Sequence, residues 1–291
     1  MPIEVNLRSF IELLHRQGMV HRVIEESGEQ VIYTDSEATA AWIREALAKW
    51  QQAGSPDISA QSSRSRTTVP TDVWLHSILR VVSSSPVTLS LTVLCLFVAL
   101  LSGLGRETGR VDFLFYPLVS SRSLPALLAD LNSPILILRS LTPMFLHFGE
   151  LHLIFNLLWL WFFGKQIESI QPGWLFLLLI LIMAFVSNTT QFMTVQFNNF
   201  GGMSGVVYGL VGYAWVIHNF MPRSLLMLNN SMFVFFIIAL ILMELLAGSW
   251  IATAAHVGGL ASGLILGGAM VLVYRFLLKR PVVGKPDSGF L

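Results

Sequence analysis

The sequence predicts an all-α polytopic membrane protein, a bundle of six transmembrane helices preceded by a small cytoplasmic α+β domain. Hydrophobic residues make up 54% of the 291 residues and charged residues only 12%, against about 25% charged residues in soluble domains. The mean hydropathy is +0.67. Ten of the 17 acidic residues lie between Glu4 and Asp72, so a polar front part precedes a lipid-embedded body.

Residues 1–52 are expected to form the small domain. A helical stretch should end at Gly18, and two short strands near 20–24 and 30–33 should be joined by a turn at Ser27-Gly28. A Thr34-x-x-Glu37 capping box predicts the start of a second helix. The apolar positions expected on the two helices are Phe10, Leu13, Leu14, Ala38, Ala41, Trp42 and Leu47.

The rest of the chain falls into three parts that differ in composition. Residues 53–83 are expected to be a Ser-rich linker followed by a juxtamembrane segment. Residues 84–277 form the membrane body, and residues 278–291 a cytoplasmic tail. The body holds six apolar segments, near 84–105, 148–168, 172–192, 203–221, 228–248 and 252–277. Each is long enough to reach across about 30 Å of hydrocarbon.

Positive charges indicate the orientation of the segments. Lys165, Arg223 and the cluster from Arg275 to Lys285 follow the second, fourth and sixth segments. By the positive-inside bias, both termini are cytoplasmic. The second, fourth and sixth segments therefore all begin on the outer side, where their first polar residues should lie at similar depth.

The first residues of these three segments include the polar side chains that predict a catalytic site. The second segment opens with His147, His152 and Asn156, the fourth contains Ser204, and the sixth His256. Such groups are costly in lipid and usually face a cavity. A serine hydroxyl needs a base to become a nucleophile, and an imidazole suits that task. Ser204 is therefore the predicted nucleophile and His256 its base.

Two rows of glycine predict how these residues meet. Gly205, Gly209 and Gly212 line the fourth segment, and Gly259, Gly263 and Gly267 line the sixth. Small residues at this spacing allow close approach of helices. Internal contact is favoured because the polar residues need burial, with self-dimerisation as the alternative.

Acyl transfer also requires hydrogen-bond donors for the developing oxyanion. His152 and Asn156 are four residues apart on one helix face, and the backbone N–H of Ser204 is a third donor. Tyr208, one turn after Ser204, could pack against the imidazole.

The three elements together resemble a known family. His-x4-His-x3-Asn, Gly202-x-Ser-Gly205 and Ala-His256-x-x-Gly259, on the second, fourth and sixth segments, are similar to the signature of rhomboid intramembrane serine proteases of the bacterial GlpG type. The resemblance implies a Ser204–His256 dyad without a third acid and an oxyanion site at His152, Asn156 and the Ser204 amide. It also implies a structural role for His147.

The same resemblance assigns two further residues. Arg139 matches the arginine of the family's first loop, although Leu138 stands where the family has tryptophan. Glu168 matches a carboxylate that stabilises the inner side. The implied activity is an endopeptidase that cleaves in or next to transmembrane segments through an acyl-enzyme, in the bacterial inner membrane, with its active site open toward the periplasm.

The expected partners are membrane-protein substrates and the lipid bilayer, with sideways access past segment five and the loop at 249–251. No cofactor is implied. A net charge of +1 without a basic stripe gives no reason to expect nucleic acid. The rivals are a non-proteolytic rhomboid-like binder, which would lack the serine or the histidine, and a transporter, which would need polar residues at mid-membrane.

Two other assignments are disfavoured. His147 and His152 as metal ligands would lie about 140° apart on a helix, and no third ligand motif accompanies them. Glu244 is a possible partner of His256, but a packing role is preferred.

Overall fold

The computed structural model describes residues 1–17, 19, 21–26, 28–34, 37–52, 84–119, 123–221, 224, 226, 228, 230–247, 252–280 and 283. The predictions for the linker at 53–83 and for the loop at 249–251 lie outside these residues. The side chain of Glu244 is also not among those that the structure describes. Its pairing with His256 or its packing role therefore stays a prediction.

The N-terminal region, residues 1–52, contains two helices and one β-hairpin. They are α1 (Arg8–Arg16), β1 (His21–Glu26), β2 (Glu29–Thr34) and α2 (Glu37–Gln52). The antiparallel strands pair from His21 with Thr34 to Glu26 with Glu29. Gly28 closes the turn at φ +81°, a left-handed conformation that favours glycine. The two predicted strands are thus confirmed.

The core of this region is formed mainly by Leu7, Phe10, Leu14, Ile43 and Trp50. The last two are seven residues apart on α2 and therefore share a face. Trp42, which was predicted on the apolar face, is 39% exposed, and Ala38 and Ala41 of the same prediction are exposed as well. That part of the prediction is wrong, because the buried stripe of α2 runs one residue further along the chain.

In the described residues after this region, six apolar helices are present, one on each predicted segment. They are α3 (Pro86–Leu101), α6 (Glu150–Ile170), α7 (Gly173–Val195), α8 (Ser204–Phe220), α9 (Asn230–Ala247) and α10 (Thr253–Leu272), which a π-helical turn at Val273–Leu277 extends. The connection between α3 and α6 contains the short helices α4 (Leu124–Asp130) and α5 (Pro134–Leu141).

Not all six helices are long and apolar enough to cross a membrane by themselves. Among the described residues, Gly173–Val195 and Thr253–Leu277 meet such a test, and the pair Pro134–Phe145 and Glu150–Ile170, bent by 101°, passes only as one unit. The helices α3 and α8 have 16 and 17 residues, short of the about 20 usual for a span. The membrane character of the chain is clear, and the count of six spans remains a proposal.

Helix α8 lies at the centre of the bundle, with most of its residues buried. Its glycines face those of α10: a Cβ atom on Gly259 would overlap the carbonyl oxygen of Gly205, and one on Gly263 that of Gly209. The two backbones are therefore in contact. The predicted internal packing of the glycine rows is confirmed.

Two polar anchors fix the helices at opposite ends of the bundle. We call the end where α6, α8 and α10 begin the site end. At the opposite end, the buried Glu168 carboxylate accepts hydrogen bonds from the backbone N–H of Val87 (2.7 Å) and from the backbone N–H (2.9 Å) and hydroxyl (2.7 Å) of Thr88. It thereby satisfies the free N–H groups that begin α3.

Arg139, on α5, anchors the connection near the site end. Its Nε atom donates to the carbonyl of Phe115 at 3.1 Å, and Nη2 lies 3.5 Å from the carbonyl oxygen of Asp112. Apolar side chains of this connection point outward, among them Phe113 at 58% and Leu118 at 70% exposure. Exposed apolar side chains of this kind are suited to contact with the lipid interface.

Candidate active site

A glycine-rich turn delivers Ser204 to the start of α8. The backbone N–H of Gly202 donates to the carbonyl of Pro143 at 3.0 Å, and Gly202 has φ +116°. A Cβ atom on Gly201 would lie 2.6 Å from Cβ of Leu146. Only glycines allow this path, and it leaves the Ser204 side chain partly exposed at the head of the helix.

His256 meets Ser204 from the neighbouring helix. Its Nε2 atom is 2.8 Å from Ser204 Oγ, and the residue is 3% exposed. The two residues are 52 positions apart in the chain, and the close contact of Gly205 with Gly259 brings them together. At this distance the serine hydroxyl can donate its proton to the imidazole.

The imidazole is held mainly by an aromatic ring. Tyr208 stacks on His256 with ring centroids 4.9 Å apart and planes inclined by 28°. The Tyr208 hydroxyl in turn donates to the carbonyl of Phe236 on α9 at 3.3 Å. Within the described part of the chain, the buried Nδ1 atom of His256 has no hydrogen-bond partner. The ring is therefore oriented by stacking, with no carboxylate of that part bonded to it.

His152 and Asn156 lie beside the glycine turn. The backbone N–H of Phe148 donates to Nδ1 of His152 at 3.4 Å, which places the hydrogen of a neutral ring on Nε2. A Cβ atom on Gly202 would lie 2.6 Å from that Nε2 and 3.6 Å from Nδ2 of Asn156. Two side-chain donors thus converge next to Gly202, two residues before Ser204.

His147 supports the turn from behind. Its Nδ1 atom is 3.1 Å from the carbonyl oxygen of Phe145, and the backbone N–H of Met203 donates to its Nε2 at 3.4 Å. His147 precedes α6, which begins at Glu150, so the predicted helical separation from His152 is wrong. The two rings are in fact 5.2 Å apart.

A metal site is not formed by this pair of rings. Both nitrogens of His147 engage backbone groups. Among the residues that the structure describes, no group of three or more His, Cys, Asp or Glu side chains could hold a metal ion.

Comparisons with known proteins show the family of this chain. The family model described as Rhomboid domain matches residues 136–273, and Rhomboid N-terminal domain matches residues 1–62. Rhomboid protease GlpG of Serratia proteamaculans (strain 568) is 35% identical over 206 residues, covering 67% of this chain and 69% of the relative. The chain belongs to the rhomboid family.

Other relatives match a smaller part. Rhomboid protease GlpG of Yersinia pestis (strain Pestoides F) and of Yersinia pseudotuberculosis serotype O:3 (strain YPIII) are each 34% identical over 184 residues, or 63% of this chain. The match spans 62% of the length of these relatives.

In this rhomboid, the predicted site residues lie in different parts of the bundle. Ser204, His256, Tyr208, His152 and Asn156 meet at the site end, where His147 supports them. Gly202, Gly205, Gly259 and Gly263 shape the approach of the backbones. Arg139 contacts the preceding connection, and Glu168 lies at the opposite end of the bundle.

Helix α7 contributes contacts that sequence reasoning missed. The Gln191 side-chain oxygen accepts the backbone N–H of Ala255 at 3.0 Å, directly before His256. Asn188 Nδ2 donates to the carbonyls of Ser140 and Leu141 at 2.9 and 3.2 Å. In the sequence, these contacts are indicated by the run of five polar residues from Ser187 to Gln191 inside an otherwise apolar segment.

Proposed function

We propose that this rhomboid is an intramembrane serine endopeptidase that hydrolyses peptide bonds in or next to transmembrane segments of membrane proteins. The observation that carries the proposal is the 2.8 Å contact between Ser204 Oγ and His256 Nε2 at the head of an apolar bundle. The relatives named as rhomboid proteases support it. Membrane-protein substrates and the lipid bilayer are the proposed partners.

The proposed reaction begins with attack of Ser204 Oγ on the scissile carbonyl carbon, while His256 Nε2 takes the hydroxyl proton. The oxyanion accepts hydrogen bonds from His152 Nε2–H, Asn156 Nδ2–H and the free backbone N–H of Ser204. Breakage of the C–N bond leaves an acyl-enzyme, and His256 returns the proton to the leaving amine. A water molecule then attacks the acyl carbon while His256 takes its proton, and breakage of the C–Oγ bond releases the acid as His256 returns the proton to Ser204. No cofactor or metal is part of this proposal.

The proposed placement has six spans in the bacterial inner membrane, both termini cytoplasmic, and the site end toward the periplasm. Lys165, Arg275, Lys279 and Arg280 lie toward the end opposite Ser204, as the positive-inside bias requires. At the site end, Arg106 lies 3.5 Å from Glu150, so its positive charge has a counter-charge. The proposed layout is a domain at 1–52, a linker at 53–83, a protease body at 84–277 and a tail at 278–291.

A serine-directed fluorophosphonate probe tests the proposal. We expect the detergent-solubilised protein to be labelled, and Ser204→Ala and His256→Ala to abolish both labelling and cleavage of a single-span substrate. Ser169→Ala, which removes an exposed serine at the opposite end of the bundle, is the matched control and should label normally. Labelling that survives Ser204→Ala would remove the assignment.

A further inference from the structure

Three distant parts of the chain meet at Ser224, which lies between α8 and α9 and is 2% exposed. The Arg22 guanidinium donates through Nη1 to the Ser224 carbonyl at 3.0 Å. The backbone N–H of Val283, near the C-terminus, donates to Ser224 Oγ at 3.0 Å. The Ser224 N–H donates to the Met221 carbonyl at 2.9 Å. Ser224 is therefore a junction of the N-terminal region, the α8–α9 connection and the C-terminal segment.

The connection itself is firmly attached to the bundle. Met221, Leu226 and Leu228 are at most 3% exposed and belong to the main hydrophobic core. His218 Nδ1, near the end of α8, is 3.2 Å from the Leu226 carbonyl oxygen. The carbonyl that Arg22 contacts is thus held by buried neighbours. It also follows the C-terminus of α8, whose partial negative charge favours a nearby cation.

Arg22 lies on the face of the β-hairpin that is turned away from the core of the N-terminal region. The strand register pairs Arg22 with Tyr33 and Ile24 with Val31, while Ile32 on the other face packs against that core. Side chains of paired residues share a face. All four residues of this outer face are partly buried, and none of them belongs to that core.

The Arg22 side chain is also partly withdrawn from water. Desolvation lowers the pKa of the Arg22 guanidinium, whereas Arg44 on α2 is exposed and pairs with Glu37 at the surface. A charged group withdrawn from water needs a polar partner. In the described part of the chain, the Arg22 guanidinium donates its hydrogen bond to the Ser224 carbonyl.

We propose that the N-terminal region docks onto the α8–α9 connection of its own chain, with Arg22 as the anchor and the Arg22–Tyr33 face of the hairpin as the docking surface. The region then lies against the end of α8 that is opposite Ser204. This inference concerns an interaction surface and does not rest on the proposed activity.

Distance measurements between two spin labels test the docking in the full chain in lipid nanodiscs. Glu25→Cys on β1 and Asn219→Cys on α8 are exposed labelling positions, introduced in a Cys95→Ala background because Cys95 is the single native cysteine. We expect one narrow distance distribution, and loss of that narrow peak in Arg22→Ala. Arg44→Ala, which removes the same charge from the exposed face of α2, should leave the peak unchanged.

A second label pair separates undocking from unfolding of the N-terminal region. The distance between labels at Glu25→Cys and Lys49→Cys, both inside that region, should be the same with and without Arg22→Ala. A broad distribution between β1 and α8 in the unsubstituted chain would overturn the proposal. A narrow peak that persists in Arg22→Ala would also overturn it. Loss of the peak together with a change in the distance inside the N-terminal region would overturn it as well.

Discussion

Gly202 shapes the oxyanion side of the proposed site. It has φ +116°, and its missing side chain leaves the space into which His152 and Asn156 point. A substitution there should displace the two proposed donors and strain the turn that carries Ser204.

We expect Gly202→Ala to lower kcat by about 10²- to 10³-fold, the usual cost of losing one oxyanion donor. The added methyl would lie 2.6 Å from the His152 ring and would push that ring away. Initial rates of substrate cleavage measure the effect. Gly109→Ala is the control, because a Cβ there meets nothing within 4 Å. An unchanged kcat in folded Gly202→Ala would contradict the assigned donors.

Tyr208 allows stacking and hydrogen bonding to be separated. Tyr208→Phe keeps the ring on His256 and removes only the bond to the Phe236 carbonyl. We expect near-normal kcat in Tyr208→Phe and a loss of about tenfold or more in Tyr208→Ala, since misorientation of a catalytic group costs rate. Equal losses in both variants would assign the orienting role to the hydroxyl.

The helices of this rhomboid depend on a few polar and glycine contacts for their mutual positions. Glu168 joins α6 to the first turn of α3, and the glycine rows join α8 to α10. Substitutions that disturb either kind of contact should lower the stability of the protein, each for a different physical reason.

Replacement of Glu168 by Ala should lower the free energy of unfolding by about 2–4 kcal/mol, because it leaves buried N–H and hydroxyl groups without acceptors. Glu168→Gln keeps one acceptor oxygen and should cost less. Thermal unfolding in detergent measures both effects, and Glu150→Gln, at an exposed position of the same helix, is the control. Loss of fluorophosphonate labelling in folded Glu168→Gln would contradict a purely structural role.

Gly263→Ala should destabilise the protein by about 1–3 kcal/mol, the usual cost of overpacking. The new methyl would overlap the Gly209 backbone, which cannot move without separating α8 from α10. Gly268→Ala, five residues further along α10 with nothing within 4 Å of its Cβ, should be neutral. Equal unfolding temperatures for the two variants would show that the helices do not pack as described.

At the scale of the whole molecule, α9 is attached mainly by aromatic rings. Phe236 lies 4.9 Å from Trp159 of α6, and Phe233 lies 4.6 Å from Trp215 of α8, as measured between ring centroids. Movement of α9 would have to separate these rings and break the hydrogen bond from the Tyr208 hydroxyl to the Phe236 carbonyl. The proposed sideways access of substrate past the fifth segment requires such a movement.

A bifunctional thiol cross-linker between Trp159→Cys and Phe236→Cys should slow cleavage of a membrane-spanning substrate while a small fluorophosphonate still labels Ser204. The cross-link would hold α9 against α6 and block access of a helix but not of a small molecule. Comparison of protein with and without the cross-link in the same assay supplies the control. Equal cleavage rates in both states would exclude movement of α9 as the route of access.

Local patterns determined a large part of this protein. Apolar runs, glycine spacing and the hairpin turn at Gly28 predicted where the helices and strands lie, because helix and strand formation depend on neighbours in the chain. The types and spacing of His152, Asn156, Ser204 and His256 predicted a nucleophile, a base and donors. Trp42 was misplaced because alternative apolar stripes on a short helix differ by a single residue.

Only the tertiary structure decided how distant segments meet. The stacking of Tyr208 on His256, the position of His147 outside a helix and the contact of Arg22 with Ser224 join groups that no local pattern relates. The support that Gln191 gives to the start of α10 also depends on the packing of α7. Sequence spacing fixes directions along one helix, whereas the distance between two helices is set by which surfaces pack together, and here backbone contact at glycines sets it.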